Sequence, residues 1–469
     1  MQPPVRAILI GAGDRGRFAY GRYALAHPED MQIVAVAEPQ PERRGAFARE
    51  HGLSAENCLT TWEEVLGTER RREISADTVL ICTQDQLHTA PALAALAQGY
   101  HVLLEKPMAV TLDDCRALVA AAERAGRHLQ ICHVLRYTPF FQAIHAVLQA
   151  GRLGDLISLS QRENVSYWHM AHSFVRGNWR RAADSSPMIL AKCCHDLDTL
   201  FWFAGARTRR LSSFGSLRHF RPSNAPPGAP ERCAQGCPAE ARCLYSALDV
   251  YVRLTPLLQQ AQMSRIVWLR GLARLIERQP GLAESLAHWI PPLRQFTAYS
   301  GWPVHIVTDD FTRAGRLRAM QDPANPYGRC VYHCDNDVVD HQHVNIEFEN
   351  GVTATLIMHG HAYADGRTVR LDGTAATVVG HMYRHEQRLE LFDKRSGRRE
   401  LLFSGGLDLS DQHGGGDTGM LRAFVRLVRG EIQPDVATAA QGALESHLMA
   451  FSAEYARLTG QVVNLEEWR

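Results

Sequence analysis

The stretch Val5 to Gly16, VRAILIGAGDRG, leaves this chain few folds to adopt. A short apolar run, Val5 to Ile10, reaches Gly11-Ala12-Gly13-Asp14-Arg15-Gly16, and a helical pattern, Arg17 to Ala26, follows. In a strand–turn–helix unit of this kind the first glycine, Gly11, permits the tight turn, and Gly13 lets the backbone approach a pyrophosphate. Gly16 allows close packing of helix on strand, and the helix N-terminus takes the anion, so Asp14 and Arg15 count among the coenzyme-binding positions. The next strand, Gln32 to Ala37, ends at Glu38. An acid there accepts from the adenosine ribose hydroxyls and disfavours a 2′-phosphate, which predicts NAD. Arg43 and Arg44 lie close by and keep NADP as the alternative.

The rhythm continues. A strand over Thr78 to Cys82 leads to Thr83-Gln84-Asp85-Gln86-Leu87-His88, where Thr83 and His88 are further coenzyme-loop candidates. After a helix, the strand His101 to Leu104 delivers Glu105-Lys106-Pro107. Strands alternating with helices predict an α/β fold with a parallel, doubly wound sheet. Such sheets bind ligands at the carboxyl ends of their strands, which is where Lys106 arrives. Of the 51 basic residues only Lys106, Lys192 and Lys394 are lysines. Arginine keeps its proton, whereas a lysine pKa shifts readily on burial, so lysines that persist against this bias are candidates for chemistry. A last strand, Leu129 to Cys132, closes a nucleotide-binding domain over residues 1–132, and Arg136-Tyr137-Thr138-Pro139 marks the crossing into a second domain, 133–469.

The net charge of +1 gives no electrostatic case for nucleic acid or a membrane surface as partner. No apolar run reaches the ~20 residues of a membrane-spanning helix. The chain enters its first strand almost at once, and its 11 cysteines are an odd number, against a secreted disulfide framework. The expectation is a soluble, cytoplasmic protein.

Gly11-x-Gly13-x-x-Gly16, the Thr83 to His88 loop, Glu105-Lys106-Pro107 and Arg136-Tyr137-x-Pro139 together resemble the Gfo/Idh/MocA oxidoreductase family, over residues 5–220 and 335–469. The resemblance implies an N-terminal Rossmann domain and a C-terminal α/β domain on a large, open, mainly antiparallel sheet, through which a homodimer or homotetramer forms. It implies nicotinamide-dependent chemistry on a sugar, sugar derivative or cyclitol. Glu105, Lys106 and Arg136 would stand at the coenzyme, with Lys106 orienting and acidifying the substrate hydroxyl.

In the second domain, Lys192, His195 and Asp198 are spaced by three and share one helix stripe, an acid/base arrangement in which imidazole is the natural proton acceptor. The segment resembles the family's second motif, where a catalytic histidine follows an aspartate by four residues. His195 matches the histidine, but the aspartate position is Ala191, with Lys192 next. Lys192 or Asp198 would stand in for the missing acid. The Lys-x-x-His variant is similar to superfamily members that act as NAD-dependent glycosidases. Upstream, Tyr167, Trp168, His169, His172, Arg176, Trp179, Arg180 and Arg181 crowd one segment. Aromatic rings stack on pyranose faces and arginines grip anions, so an anionic sugar fits Tyr167, Trp168, His169, Arg176, Trp179 and Arg180; packing of a loop is the alternative.

Residues 221–329 break the pattern and read as an insertion, with helical patterns near 257–278 and 283–299, and a lid over the site is one use for it. Cys233, Cys237 and Cys243, joined by Cys330 or Cys334 from its far end, are candidate ligands of a structural zinc, against free buried thiols or a redox-active group. Beyond it, Asp335 to Gln342 either lines the pocket or binds nothing. A hairpin, Val344 to Met358, and further strands to Phe403 extend the sheet, with Asp417 as a helix N-cap, His413 near the substrate and a last helix, Val436 to Leu458.

Two enzymatic readings follow. One is an NAD-dependent oxidoreductase acting on a secondary carbinol of a sugar or cyclitol. The other is a redox-neutral glycoside hydrolase that oxidises, eliminates, hydrates and re-reduces. A non-enzymatic sensor would need no acid/base stripe.

Overall fold

The computed structural model describes residues 2–67, 73–264, 266–287, 289–290, 293–294, 297–406, 414–433 and 440–469. Six strands form a parallel sheet: β1 (Val5–Ile10), β2 (Met31–Ala37), β3 (Cys58–Leu59), β4 (Thr78–Ile81), β5 (His101–Leu104) and β6 (Leu129–Ile131). Their order, β3-β2-β1-β4-β5-β6, is that of a doubly wound dinucleotide fold, reversing between β1 and β4. The strands are continuous apolar runs because both faces are covered. Ile8, Ile10, Val79, Ile81, Val102 and Leu104 pack on one side. Val5, Ala7, Leu9, Leu80 and Leu103 pack on the other. Two C-terminal helices complete these layers: Ala440–Thr459 brings Ala440 and Ala443 to the first, and Gly416–Val428 brings Met420, Leu421, Phe424 and Val425 to the second.

The second sheet has nine strands: β7 (Leu156–Ser166), β8 (Thr208–Ser216), β9 (His341–Phe348), β10 (Thr353–Ala362), β11 (Gly366–Gly373), β12 (Ala376–Tyr383), β13 (Gln387–Asp393), β14 (Arg399–Gly405) and β15 (Val463–Asn464). Its order is β14-β13-β12-β11-β7-β10-β9-β8-β15, antiparallel except for the β7–β10 pair. The expected fold class is the observed one. Strands β9 and β10 alternate, with Val344, Ile346, Leu356 and Met358 inward and His341, His343, His359 and His361 on the open face. The inner face carries the helix Met188–Ala204, buried along most of its length.

The insertion has cores of its own. Tyr251, Val250, Val307, Met320 and Tyr327 gather around Trp168. Its helical patterns are shorter than expected: Thr255–Gln262, Val267–Arg278 and Pro280–Leu286 are separate helices around Leu258, Ala273 and Ile276. A single antiparallel bridge, Arg232 to Arg329, ties its two ends together. Among the described residues, no helix is long and apolar enough to cross a membrane.

Candidate active site

At the nucleotide end, the three glycines differ as their roles require. Gly11 adopts φ +91°, and a Cβ there would lie 2.7 Å from the Cys82 carbonyl. A Cβ on Gly16 would collide with the Gly11 carbonyl, the close helix–strand contact. Around Gly13 there is open space, a cradle into which a ligand backbone fits. Glu38, at the end of β2, accepts from Ala12 N at 2.8 Å and Gln40 N at 3.0 Å. A carboxylate has about four acceptor positions, so capacity remains for a ribose diol. The Arg44 guanidinium is turned to the Glu38 carbonyl, at 2.5 Å.

Several predicted coenzyme contacts belong instead to the frame beneath the loop. Arg15 Nε donates to Glu105 at 2.6 Å, while its two Nη atoms donate to Asp417 at 3.0 and 2.6 Å. Tyr20 donates to the same Glu105 carboxylate. Burial works against the Glu105 charge, but Arg15 and the Tyr20 hydroxyl hold its pKa below the usual value. Asp417 is therefore a partner of Arg15 and not a helix cap; the cap position is Gly415, in the left-handed region. His88 is fully buried and uses both ring nitrogens within the protein, Nδ1 to the Pro107 carbonyl at 2.7 Å and Nε2 to the Thr83 carbonyl at 3.2 Å. The Thr83 hydroxyl donates to the Leu87 carbonyl. Both brace the turn that presents Lys106.

Lys106 Nζ crosses to the second domain and donates to the Ala191 carbonyl at 2.8 Å. One helical turn on, His195 stands edge-on to His133, with ring centroids 5.6 Å apart. Lys192, on the same stripe, lies 3.3 Å from Glu163. Glu163 on β7 also meets Arg367 on β11 at 2.7 Å, and Arg367 reaches Asp196 at 2.8 Å. Burial pushes the Glu163 carboxyl up to about 6, against the pull of Arg367 and Lys192. Asp365 takes the His169 ring at 2.9 Å and the Ser166 backbone and hydroxyl. These groups place a lysine, an imidazole, and a carboxyl of raised pKa along one helix and the neighbouring strand ends.

Residues 5–133 match the model of the oxidoreductase family with an NAD-binding Rossmann fold, Gfo/Idh/MocA. The N-terminal domain belongs to this family. Among curated proteins, the chain is 33% identical over 173 residues to 1,5-anhydro-D-fructose reductase of Ensifer adhaerens, covering 36% of this chain and 48% of that one. It is 34% identical over 158 residues to glycosyl hydrolase family 109 protein 2 of Phocaeicola vulgatus, covering 33% and 37%. The chain thus spans about half the length, or less, of these relatives. Among solved structures, an Agrobacterium radiobacter oxidoreductase in complex with NAD+, L-tartaric acid and magnesium superposes with TM-score 0.63 and 14% identity, over 99% of both chains. That likeness extends the shared fold to the second domain.

In the second domain and at the crossing into it, five site expectations need correction. Asp198 is fully buried and paired in two-pronged fashion with Arg136, Oδ2 to Nε at 2.5 Å and Oδ1 to Nη2 at 2.8 Å. Neither group is available, Asp198 to a substrate or Arg136 to a coenzyme, because each neutralises the other in the core. Trp168 is buried in the core of the insertion against Trp302. Arg176 is fully buried, donating to the carbonyls of Arg329 at 2.7 Å and Tyr245 at 2.7 Å. Arg180 is held by Asp335 at 3.0 Å, which also takes Arg329. Local density suggested a sugar clamp, but most of these side chains fasten the insertion to the sheet domain. Tyr167 is half-buried against Tyr245. Trp179 Nε1 donates to Asp85 at 3.2 Å, docking its segment on the β4 loop. His172 is buried, stacked on Tyr327 and bonded to Tyr251.

The segment 335–342 is occupied internally: Asp340 accepts from the backbone of Arg218 and His219 and from the His341 ring. His413 lies outside the described residues. Of the cysteines, Cys233, Cys237, Cys243 and Cys330 line one cavity, whereas the Cys334 thiol donates to the Cys330 carbonyl. The insertion reaches the nucleotide loop: His305 Nε2 is 3.4 Å from Asp14, and its ring meets Phe18 edge-on. Glu163, Asp365 and Arg367 were missed by sequence reasoning: the β7–β11 register sets Arg367 opposite Glu163, and the helix lying on the sheet brings Lys192 to Glu163.

Proposed function

We propose that the protein is an NAD-dependent oxidoreductase acting on a secondary carbinol of a sugar, sugar derivative or cyclitol. The observation that carries this reading is the meeting of Lys106, from the end of β5, with the Lys192–His195 face of the second domain. The Gly11–Gly16 loop and Glu38 would hold the coenzyme, Glu38 favouring NAD over NADP. Bound there, NAD supplies the hydride acceptor. Lys106 orients the substrate hydroxyl and, as a fixed positive charge, lowers its pKa. His195 accepts the hydroxyl proton, the usual task of an imidazole placed beside a substrate hydroxyl. The Glu163 carboxyl, with its raised pKa, passes protons to and from Lys192. The family's breadth and the reductase relative support this reading.

A second reading has its own support: Ala191 replaces the usual aspartate, Lys192 follows it, and one relative carries a glycosyl hydrolase name. In that case the same proton-moving residues serve the loss of a glycosidic group, and the substrate leaves at its original oxidation level. The open face of the second sheet, with its row of histidines, is proposed as the surface for self-association.

One assay separates the two chemistries. The protein is given neutral and anionic aryl glycosides and free sugars with NAD far below substrate, while NADH absorbance and aglycone release are followed together. NADH formed in step with oxidised sugar is the expected result. Many aglycones released per NAD, with no net NADH, establishes the hydrolase instead; neither signal from any substrate removes both.

A further inference from the structure

Four cysteines from the two ends of the insertion line one cavity. Cys233, Cys237 and Cys243 come from the start of the insertion, Cys330 from its end, and all four line the same cavity. The backbone brings them there. The bridge between Arg232 and Arg329, with Cys330 N donating to the Glu231 carbonyl at 2.8 Å, brings the two ends of the insertion together, with Cys233 and Cys330 one position to either side of the bridged pair. Gly236 at φ +80° then turns the chain to present Cys237.

A second, independent observation points to a charged occupant. Arg176 forms part of the cavity wall and is fully buried. Its Nη2 lies 3.8 Å from Cys233 Sγ, and its Nη1 has no hydrogen-bond partner. A guanidinium buried without an anion is costly, so the cavity calls for negative charge.

We infer that Cys233, Cys237, Cys243 and Cys330 bind one structural zinc ion as four thiolates, with Arg176 as the buried counter-cation and Cys334 outside the ligand set. On binding, four S–H bonds give up their protons to solvent and four Zn–S bonds form, leaving a site of charge −2 that Arg176 partly offsets; nothing is oxidised or reduced. No three of the sulfurs all lie within 4.8 Å of one another, whereas Zn–S bonds of about 2.3 Å set them roughly 3.8 Å apart. A change of cysteine rotamer moves a sulfur by about 3 Å, enough to close the tetrahedron. The ion would pin both ends of the insertion and so the base of the element that touches the nucleotide loop.

The test uses the full chain, purified reduced and without chelator. Metal analysis is expected to find about one zinc per chain. Cys237→Ser and Cys330→Ser should each lose it, and Cys334→Ser should keep it. Should the serine variants fail to fold, Co²⁺ added to the metal-free wild type should give the intense visible bands of a tetrahedral four-thiolate site. Zinc absent even after reduction and zinc addition, iron with inorganic sulfide in its place, cobalt bands of a site with fewer thiolates, or zinc lost from Cys334→Ser would each overturn the assignment.

Discussion

Lys106 Nζ donates to the Ala191 carbonyl at 2.8 Å, joining the end of β5 to the helix that carries His195. Ala191 has no polar side chain, so it meets the lysine through its backbone alone. The lysine is therefore aimed by a carbonyl, which brings no carboxylate of this helix against it. Lys106→Met and His195→Ala should each lower turnover by about 10²–10⁴-fold, with NAD binding, followed by fluorescence titration, little changed. Near-normal turnover in either variant removes its role.

Glu163 sets a pH dependence. Its carboxyl is raised to about 6, chiefly by burial, so it is protonated below that pH and ionised above it, against Lys192. The rate profile should break near pH 6 and not in the ordinary carboxylate range. Glu163→Gln should abolish that break, measured as turnover from pH 4.5 to 8 at saturating substrate.

The Arg136–Asp198 pair is a matter of stability. Both groups are buried, so removing one leaves an uncompensated charge, at about 3–5 kcal/mol. Asp198→Ala should lower the melting temperature markedly, and the double replacement of Arg136 and Asp198 by leucine should recover part of the loss. Calorimetry of the three variants against wild type measures both.

Acid should weaken the nucleotide domain through His101. Burial first, then His128 and Arg127, lower its pKa to about 4, and its Nδ1 accepts from His128 N at 3.0 Å. A histidine whose folded pKa lies below the unfolded value contributes its stability above about 6.5 and loses it as pH falls toward 4. His101→Gln should flatten the fall in melting temperature between pH 7 and 4.5.

The glycine turn was legible because its constraints are local. Gly11, Gly13 and Gly16 act through backbone geometry over a short span, and sequence spacing records that directly. The substrate half is built by register: Arg367 stands opposite Glu163 only because β11 pairs with β7. Nothing in the sequence near Lys192 announces either residue. Trp168 and Arg176 misled for the converse reason, since their aromatic and basic neighbours suggested a sugar while the insertion, whose packing leaves no short periodic signature, claimed both.

The contact between His305 and Asp14 places the insertion beside the glycine loop. If a dinucleotide lies along that loop as proposed, the insertion stands at its border, and the two chemistries ask different things of that border: an enzyme that discharges reduced coenzyme after each turnover needs it to part, whereas one that returns the hydride to its own substrate does not.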